Sequence, residues 1–180
     1  MNFCTHCGTP ANNPKTWPYT CPACHTLTYN SPKPVVALLL QGKDENNQPG
    51  FVLIHRGIEP YKDTWALPGG YIDYAEDWRA AAVREAKEEV GVTLDPQSLY
   101  IWGMNKGVVS ATTNYLVLFV ICIERVFTLN ELLQHDITTA TNDSGEQEIL
   151  AIKIASIHDT SIELGVPTHN RFWKSQIQQV

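Results

Sequence analysis

Four of the five cysteines stand as two identical pairs, Cys4-x-x-Cys7 and Cys21-x-x-Cys24, with thirteen residues between the pairs. Each pair on a tight turn offers two thiolates from one side, and two such knuckles brought together close a tetrahedral four-sulfur shell with no open position. A closed shell implies a structural metal. Four thiolates suit zinc or iron, and the spacing does not choose between them. Two disulfides are the competing reading, disfavoured because a cytosolic chain rarely keeps them. The turn chemistry agrees with a metal knuckle: Gly8 follows one pair, Pro22 lies inside the other, and Thr9–Thr20 carries three prolines that a helix would not tolerate. His6 and His25 lie beside ligand cysteines, but four sulfurs already complete the shell. Cys122, inside the apolar run Leu116–Ile123, reads as a small core residue. Residues 1–33 are therefore expected to form a small zinc ribbon in which Cys4, Cys7, Cys21 and Cys24 hold Zn²⁺.

Asn30-Ser31-Pro32-Lys33-Pro34 reads as an extended linker, and residues 34–180 as a second domain. Val35–Gln41 and Phe51–His55 are apolar runs of strand length, joined by Gly42–Gly50, whose Asp, Asn, Pro and Gly content marks a hairpin. Further strands are expected at Leu99–Asn105, Asn114–Ile123 and Ile149–Ile154, with helices at Asp77–Val90, Leu129–Leu133 and Thr168–Gln178. This order predicts an α/β fold, a mixed sheet with helices packed on it. With 180 residues, 43% of them apolar, the chain can bury one sizeable core and a small appendage. Thirteen basic residues against nineteen acidic leave a formal net charge of −6, which does not favour a long nucleic acid as partner. Trp17, Tyr19 and Tyr29 give the ribbon aromatic character, yet Lys15 and Lys33 are a thin electrostatic footprint. The start, Met1–Cys4, carries neither a basic leader nor an apolar stretch, and Leu116–Ile123 is far short of the about 20 residues that span a bilayer. A soluble, cytoplasmic protein without a membrane partner is expected.

The chemistry concentrates in Gly70–Val92, GYIDYAEDWRAAAVREAKEEVGV. Asp77 is a fair N-cap, the alanines favour helix, and Gly91 is a natural residue to end it. At 100° per residue, Glu85, Glu88 and Glu89 point to one side of that helix. A solvated acidic face is the ordinary reading of such a cluster. Beside the glycine-containing loop Leu67-Pro68-Gly69-Gly70, the same carboxylates are also the hard oxygen ligands that Mg²⁺ or Mn²⁺ takes, with substrate phosphates completing the shell. Divalent ions would let an acidic pocket bind a polyphosphate.

The stretch resembles the Nudix box, G-x5-E-x7-R-E-U-x-E-E-x-G-U, where U is a bulky aliphatic. Gly70, Glu76, Arg84, Glu85, Glu88, Glu89 and Gly91 match every fixed position, and the two U positions hold Ala86, smaller than usual, and Val92. The resemblance implies a Nudix α/β/α sandwich over residues 34–180, preceded by the ribbon, an arrangement similar to that of NADH pyrophosphatases and relatives acting on ADP-ribose or FAD. It implies that Glu85, Glu88 and Glu89 hold Mg²⁺ or Mn²⁺, with the Gly70 carbonyl a further ligand, and that Glu76 pairs with Arg84 to keep helix and loop in register. The reaction implied is attack of water on one phosphorus of a pyrophosphate bridge. Glu88, Glu89 or an acid from another loop would take the proton, and Glu148 and Glu146, after the polar loop Thr141–Gly145, are the outside candidates.

For substrate contacts, Arg56 and Lys62 are candidates for phosphate, and Trp65, Tyr71, Tyr61 and Tyr74 for stacking on a base. His55 and His169 have no evident partner and read as structural. Trp102–Asn114 lacks the SQPW-type stretch of NADH pyrophosphatases, which turns the expectation toward ADP-ribose or a dinucleotide such as FAD. The alternatives are a house-cleaning nucleoside triphosphate hydrolase and a nucleotide-sensing or nucleic-acid-binding regulator. The uncharged, aromatic ribbon suggests a homodimer contact.

Overall fold

The computed structural model describes residues 3–11, 16–110 and 113–178. Lys15 and two residues of the Trp102–Asn114 stretch lie outside this range. The chain divides into two compact units, Met1–Pro32 and Lys33–Val180.

In the first unit the two CxxC pairs have the same local backbone. The Cys4 N–H donates to Thr9 O and Gly8 N–H to Cys4 O; likewise the Cys21 N–H donates to Thr26 O and His25 N–H to Cys21 O. Gly8 and His25 occupy the equivalent left-handed position, at φ 72° and 60°, where glycine is at ease and histidine is not. Each knuckle closes on a short antiparallel pairing, Phe3 with Pro10 in the first, and β1 (Tyr19–Thr20) with β2 (Leu27–Thr28) in the second.

The second unit is built on one mixed sheet. Its strands are β3 (Lys33–Lys43), β4 (Pro49–Arg56), β5 (Trp65–Ala66), β6 (Leu99–Ser110), β7 (Thr113–Thr128) and β8 (Ile149–Ser156), in the order β5-β4-β3-β7-β6 with β8 also on β4. Among the described residues only β3 and β7 run parallel. β3 is central and covered on both faces, which is why its sequence is a continuous apolar run rather than an alternating one. Val36, Leu38 and Leu40 face one core with α1 (Trp78–Val90), and Ala37 and Leu39 face a second core with Phe172, Trp173 and Ile177. The latter three belong to α3 (Pro167–Phe172) and the π-helical turn Trp173–Ile177 that continues it. The result is a helix–sheet–helix sandwich. A short α2 (Leu129–Leu132), capped by Thr128, follows β7 directly. Among the described residues no helix is long and apolar enough to cross a membrane.

One irregularity of the sheet positions the site. β3 and β4 pair only beside their hairpin, at Gln41↔Phe51, Gly42↔Gly50 and Lys43↔Pro49. Beyond it the two strands part, and the segment from Trp65 to Ile72 fills the gap. β5 pairs with His55 and Ile54 of β4, while Pro68 and Gly70 accept from Leu38 and Val36 of β3, and Ile72 donates to Pro34 O. The wedge thus delivers the Gly69-Gly70 pair against Glu85 and Glu89 in the second half of α1.

Candidate active site

The acids stand where they do because α1 is set closely against the sheet by its small residues. Ala81, Ala82 and Ala86 are fully buried, so the helix backbone approaches closely, and the reduced side chain at Ala86 is accommodated by that approach. The Asp77 carboxylate accepts from the Arg79 and Ala80 N–H groups, a cap worth about 1 kcal/mol. Gly91, at φ 72°, ends the helix, and a β-carbon there would lie 2.3 Å from the His135 ring. The same face that buries the alanines carries Glu85 and Glu89 into the interior, at 9% and 5% exposure.

Gly69 and Gly70 are dictated by this closeness. Gly69 has φ 136°, and a β-carbon on it would meet the Val36 carbonyl at 2.1 Å; one on Gly70 would meet Glu85 Oε1 at 2.3 Å. Freed of side chains, the loop turns the Gly69 N–H onto Glu89 Oε2 at 2.6 Å. The Gly70 carbonyl accepts from the Val36 N–H and keeps a second lone pair.

Arg84 is the cationic hub. It donates to Glu76 Oε1 at 2.7 Å, to Glu85 Oε1 at 2.8 Å, to Glu88 Oε2 at 3.2 Å and to the Tyr71 carbonyl at 2.8 Å. Glu76 in turn accepts from the Asp73 N–H, so one guanidinium ties the loop before the helix to the helix. Bonding from Arg84 holds the Glu76 carboxyl below its ordinary range. The buried acids go the other way. Burial pushes Glu85 up to about 7 despite Arg84. Burial, with Glu85 beside it, drives Glu89 well above the carboxylate range against the opposing Gly69 N–H and Arg56.

These groups line a cavity of about 380 Å³ in which six acids, Asp73, Glu85, Glu88, Glu89, Asp143 and Glu148, face two cations, Arg56 and Arg84. Arg84 is already committed to three carboxylates. Two of the cavity's acids, Glu85 and Glu89, are buried with too little positive charge beside the exposed Glu88, an arrangement that fits a divalent cation, since the buried pair is otherwise relieved by protonation. Glu85, Glu88, Glu89 and the Gly70 carbonyl are the groups that would hold it. Glu148, whose carboxyl burial raises with Arg56 opposing, joins the cavity from the loop before β8; Glu146 is exposed, bound to Asn142 Nδ2, and is not part of it.

A second cavity, of about 280 Å³ and mostly apolar, adjoins the first. Arg56, Ile58, Gly69, Gly70 and Tyr71 border both. Of the expected substrate contacts, Arg56 and Tyr71 stand on this common wall and Tyr61 in the apolar cleft. Trp65 does not reach either cavity, which corrects the expectation for it: pairing on β5 turns its ring onto the second core, 5.0 Å from the His55 ring and 4.2 Å from Lys153 Nζ. Tyr74 is wholly exposed, and Lys62 lines neither cavity. His169, expected to be structural, lines the apolar cleft. Sequence reasoning missed Asp143, although it sits in the polar loop Thr141–Gly145, and Tyr115, which lies on a strand with no motif to mark it.

In the ribbon, the four Sγ atoms lie within 4.8 Å of one another, with Cys4–Cys24 and Cys7–Cys21 each at 3.7 Å. That is close to the roughly 3.8 Å edge of a tetrahedron with bonds of about 2.3 Å to zinc, so the sulfurs fit a four-thiolate metal. The side chain of Thr9 beside Cys7 pulls its thiol down to about 6, and Thr26 beside Cys24 acts in the same direction, which eases loss of those two protons. The Cys21 thiol, against its backbone bond to Cys24, is shifted up by burial and by its side-chain bonds to Cys24 and Cys7.

The sequence profile described as the NUDIX domain matches residues 31–175, most of the chain. The chain belongs to the Nudix family. An ADP-ribose pyrophosphatase of Methanocaldococcus jannaschii is 44% identical over 49 residues, which span 27% of this chain and only 29% of that protein. Solved Nudix folds superpose over most of the chain. The MutT protein of Methanosarcina mazei matches at TM-score 0.59 and 18% identity, over 83% of this chain and 95% of that one. The NUDIX domain of Shewanella oneidensis NrtR, solved with ADP ribose, matches at TM-score 0.59 and 15% identity, over 80% and 85%. A longer NrtR chain solved with a 27mer DNA matches at TM-score 0.55 and 16% identity, covering 78% of this chain and 58% of that one. At these identities the likeness is one of fold, and it extends to a protein solved with DNA.

Proposed function

We propose that the chain is a divalent-cation-dependent pyrophosphohydrolase of a nucleoside diphosphate linked to a second moiety, with ADP-ribose the first substrate to try. The observation that carries this reading is the common wall. A cavity rich in carboxylates and a largely apolar cleft meet at Arg56, Gly70 and Tyr71, so one molecule with a polyanionic middle and an aromatic end fills both. The partial relative from Methanocaldococcus jannaschii, named as an ADP-ribose pyrophosphatase, supports the choice of substrate.

Glu85, Glu88, Glu89 and the Gly70 carbonyl would hold Mg²⁺ or Mn²⁺. Bound there, the cation supplies charge neutralisation for the pyrophosphate and lowers the pKa of the attacking water. Arg56, on the common wall, binds a phosphate oxygen and fixes which phosphorus faces the acids. Water attacks that phosphorus, its proton passes to Glu148, the bond to the bridging oxygen breaks, and the leaving phosphate departs with the bridging oxygen. Burial suits Glu148 to this role, since a carboxyl raised toward neutrality accepts a proton more readily than a solvated one. Arg84 binds no substrate; through Glu76, Glu85 and the Tyr71 carbonyl it positions the loop and the helix. In the ribbon, Cys4, Cys7, Cys21 and Cys24 hold a structural zinc.

The test is product release with Mg²⁺ or Mn²⁺ across ADP-ribose, FAD, NADH, diadenosine polyphosphates, coenzyme A and the nucleoside triphosphates, with Glu89→Gln as control. Cleavage of a diphosphate-linked substrate to a nucleoside monophosphate, absent in the control, supports the reading. Turnover of triphosphates alone shifts it to house-cleaning hydrolysis, and nucleotide binding without turnover shifts it to a sensor.

A further inference from the structure

Glu148 lies on a loop, yet its backbone is pinned on both sides. Its N–H donates to Ala140 O, and its carbonyl accepts from the Gly57 N–H, each at 2.7 Å. The two peptide units that flank its Cα are therefore held while its side chain enters the acidic cavity. The segment that ends at Glu148 is itself a tight hairpin. Thr141 pairs with Gln147, the Asn142 carboxamide oxygen accepts from the Ser144 and Glu146 N–H groups, and Asn142 Nδ2 donates to Glu146 Oε2. What ties this hairpin to the sheet beside the site is the bond from Gly57.

That bond forms because β4 and β8 approach more closely there than side chains allow. The strands pair in register as far as His55↔Ala151, and Arg56 then pairs with Ile149, which leaves Leu150 as a bulge. A bulge inserts one residue and changes the face that its neighbours take. Ile152 and Ile154 belong to the core under α1, so unbroken alternation would send Leu150 there as well. Instead Ile149 is buried in that core, and Leu150 lies outside it, 40% exposed. A β-carbon on Gly57 would lie 2.2 Å from Gln147 O and 3.1 Å from Leu150 Cδ2. The first contact falls well inside the 3.0 Å below which such carbons are not found. Gly57 does not have a positive φ, so close approach alone excludes a side chain. The residue before it, Arg56, has bonds of its own: its N–H donates to Thr64 O, its carbonyl accepts from the Asp63 N–H, and its Nε donates to Pro60 O at 3.1 Å.

We infer that Gly57 is a positioning residue: by admitting Gln147–Leu150 to backbone contact with the end of β4, it fixes the Glu148 carboxyl relative to the phosphorus that Arg56 presents. This rests on the hydrolase reading, in which Glu148 takes the proton. A proton acceptor works only within hydrogen-bond reach of the attacking water, and a displacement of about 1 Å is enough to lose its contribution. A side chain at residue 57 would push Gln147–Leu150 outward and carry Glu148 with it, whereas Arg56 would keep its bonds to Pro60, Asp63 and Thr64.

The experiment measures kcat and KM of the wild type, Gly57→Ala, Glu148→Gln and the double variant on the panel substrate that the wild type cleaves, with saturating Mg²⁺. Gly57→Ala should lower kcat about tenfold, as Glu148→Gln does, and flatten the acidic limb of the pH–rate profile in the same way. Its KM should stay within about twofold, since Arg56 is undisturbed. The double variant should be within about twofold of Glu148→Gln alone, because a positioning residue then has nothing left to position. Losses that multiply to about 100-fold in the double variant, or a Gly57→Ala pH profile of unchanged shape, would overturn the inference. Amide exchange at Gly57 in the wild type is a check that does not depend on any variant folding. Exchange as slow as in the paired residues of β4 is expected, and exchange at the rate of a free peptide would overturn the clamp. A wild type that cleaves nothing in the panel ends the hydrolase reading and the role of Gly57 with it. A wild type that cleaves while Gly57→Ala keeps full kcat leaves the hydrolase reading standing and removes Gly57 alone.

Discussion

The ribbon and the acidic cavity are both places where like-charged ligands converge, and they are built in opposite ways. In the ribbon four soft sulfurs face one another within 4.8 Å, nothing else enters, and two short knuckles supply every ligand. In the cavity hard oxygens come from one helix, from a glycine loop and from the loop before β8, around about 380 Å³ of space. A closed shell leaves the metal only a structural task. An open one leaves room for water and phosphate. The surrounding scaffold differs accordingly: among the described residues the ribbon buries little beyond Cys4, Ala11, Cys21 and Thr28, whereas α1 is held against the sandwich by Ala81, Ala82 and Ala86.

Removing the metals separates the two regions most strongly. Cys21→Ser, or a strong chelator, should abolish the zinc content of about one per chain and unfold the ribbon, since thiolate binding of this kind contributes on the order of 10 kcal/mol. Elemental analysis with circular dichroism checks it, and a ribbon that stays folded without metal would erase the contrast. In the cavity the charge, not the fold, is at stake. Glu89→Gln should cut kcat by about 100-fold or more, yet leave the metal-free melting temperature equal or higher, because a buried carboxylate is exchanged for a neutral amide that can still accept from the Gly69 N–H.

A smaller effect distinguishes the two acids of the loop before β8. Glu148→Gln should lower kcat about tenfold and flatten the acidic limb of the pH–rate profile. Glu146→Gln, altering an exposed group, should stay within about twofold. The smallest effect is in stability against pH without added divalent cation. The Glu85 carboxyl titrates near 7 when folded and near 4.5 when unfolded, and Glu89 is raised as well. The folded state therefore binds more protons between these values, and stability present below about pH 4.5 is lost as pH rises through 7. Calorimetric melting should show the decline, and saturating Mg²⁺ should flatten it.

Much of the fold is legible in the sequence because its signals are local. The runs Val35–Gln41 and Phe51–His55 lie within β3 and β4, Asp77–Val90 lies on α1 with its cap, and the polar hairpin falls between Asp44 and Gln48. Trp65 escapes such a reading because a two-residue strand has no periodicity, and only its pairing with His55 decides which way the ring turns. His169 escapes it for a related cause. A lone histidine in a short helix carries no sequence signal of its surroundings, and its place beside the apolar cleft comes from packing on Phe119, about fifty residues earlier in the chain.

By itself the sequence determined the chemistry that rests on fixed spacing: four thiols in two knuckles, and a helix with three glutamates behind a pair of glycines. Helical and turn geometry set those distances within a few residues, so no distant contact is needed to see them. Only the tertiary structure decided that β3 and β4 part to admit the Gly69-Gly70 wedge, that Glu148 rather than Glu146 joins the acids, and that an apolar cleft bordered by Arg56, Tyr71 and His169 opens beside them. Each of these is an outcome of packing between segments far apart in the chain, where burial and close approach select among side chains that look alike in sequence.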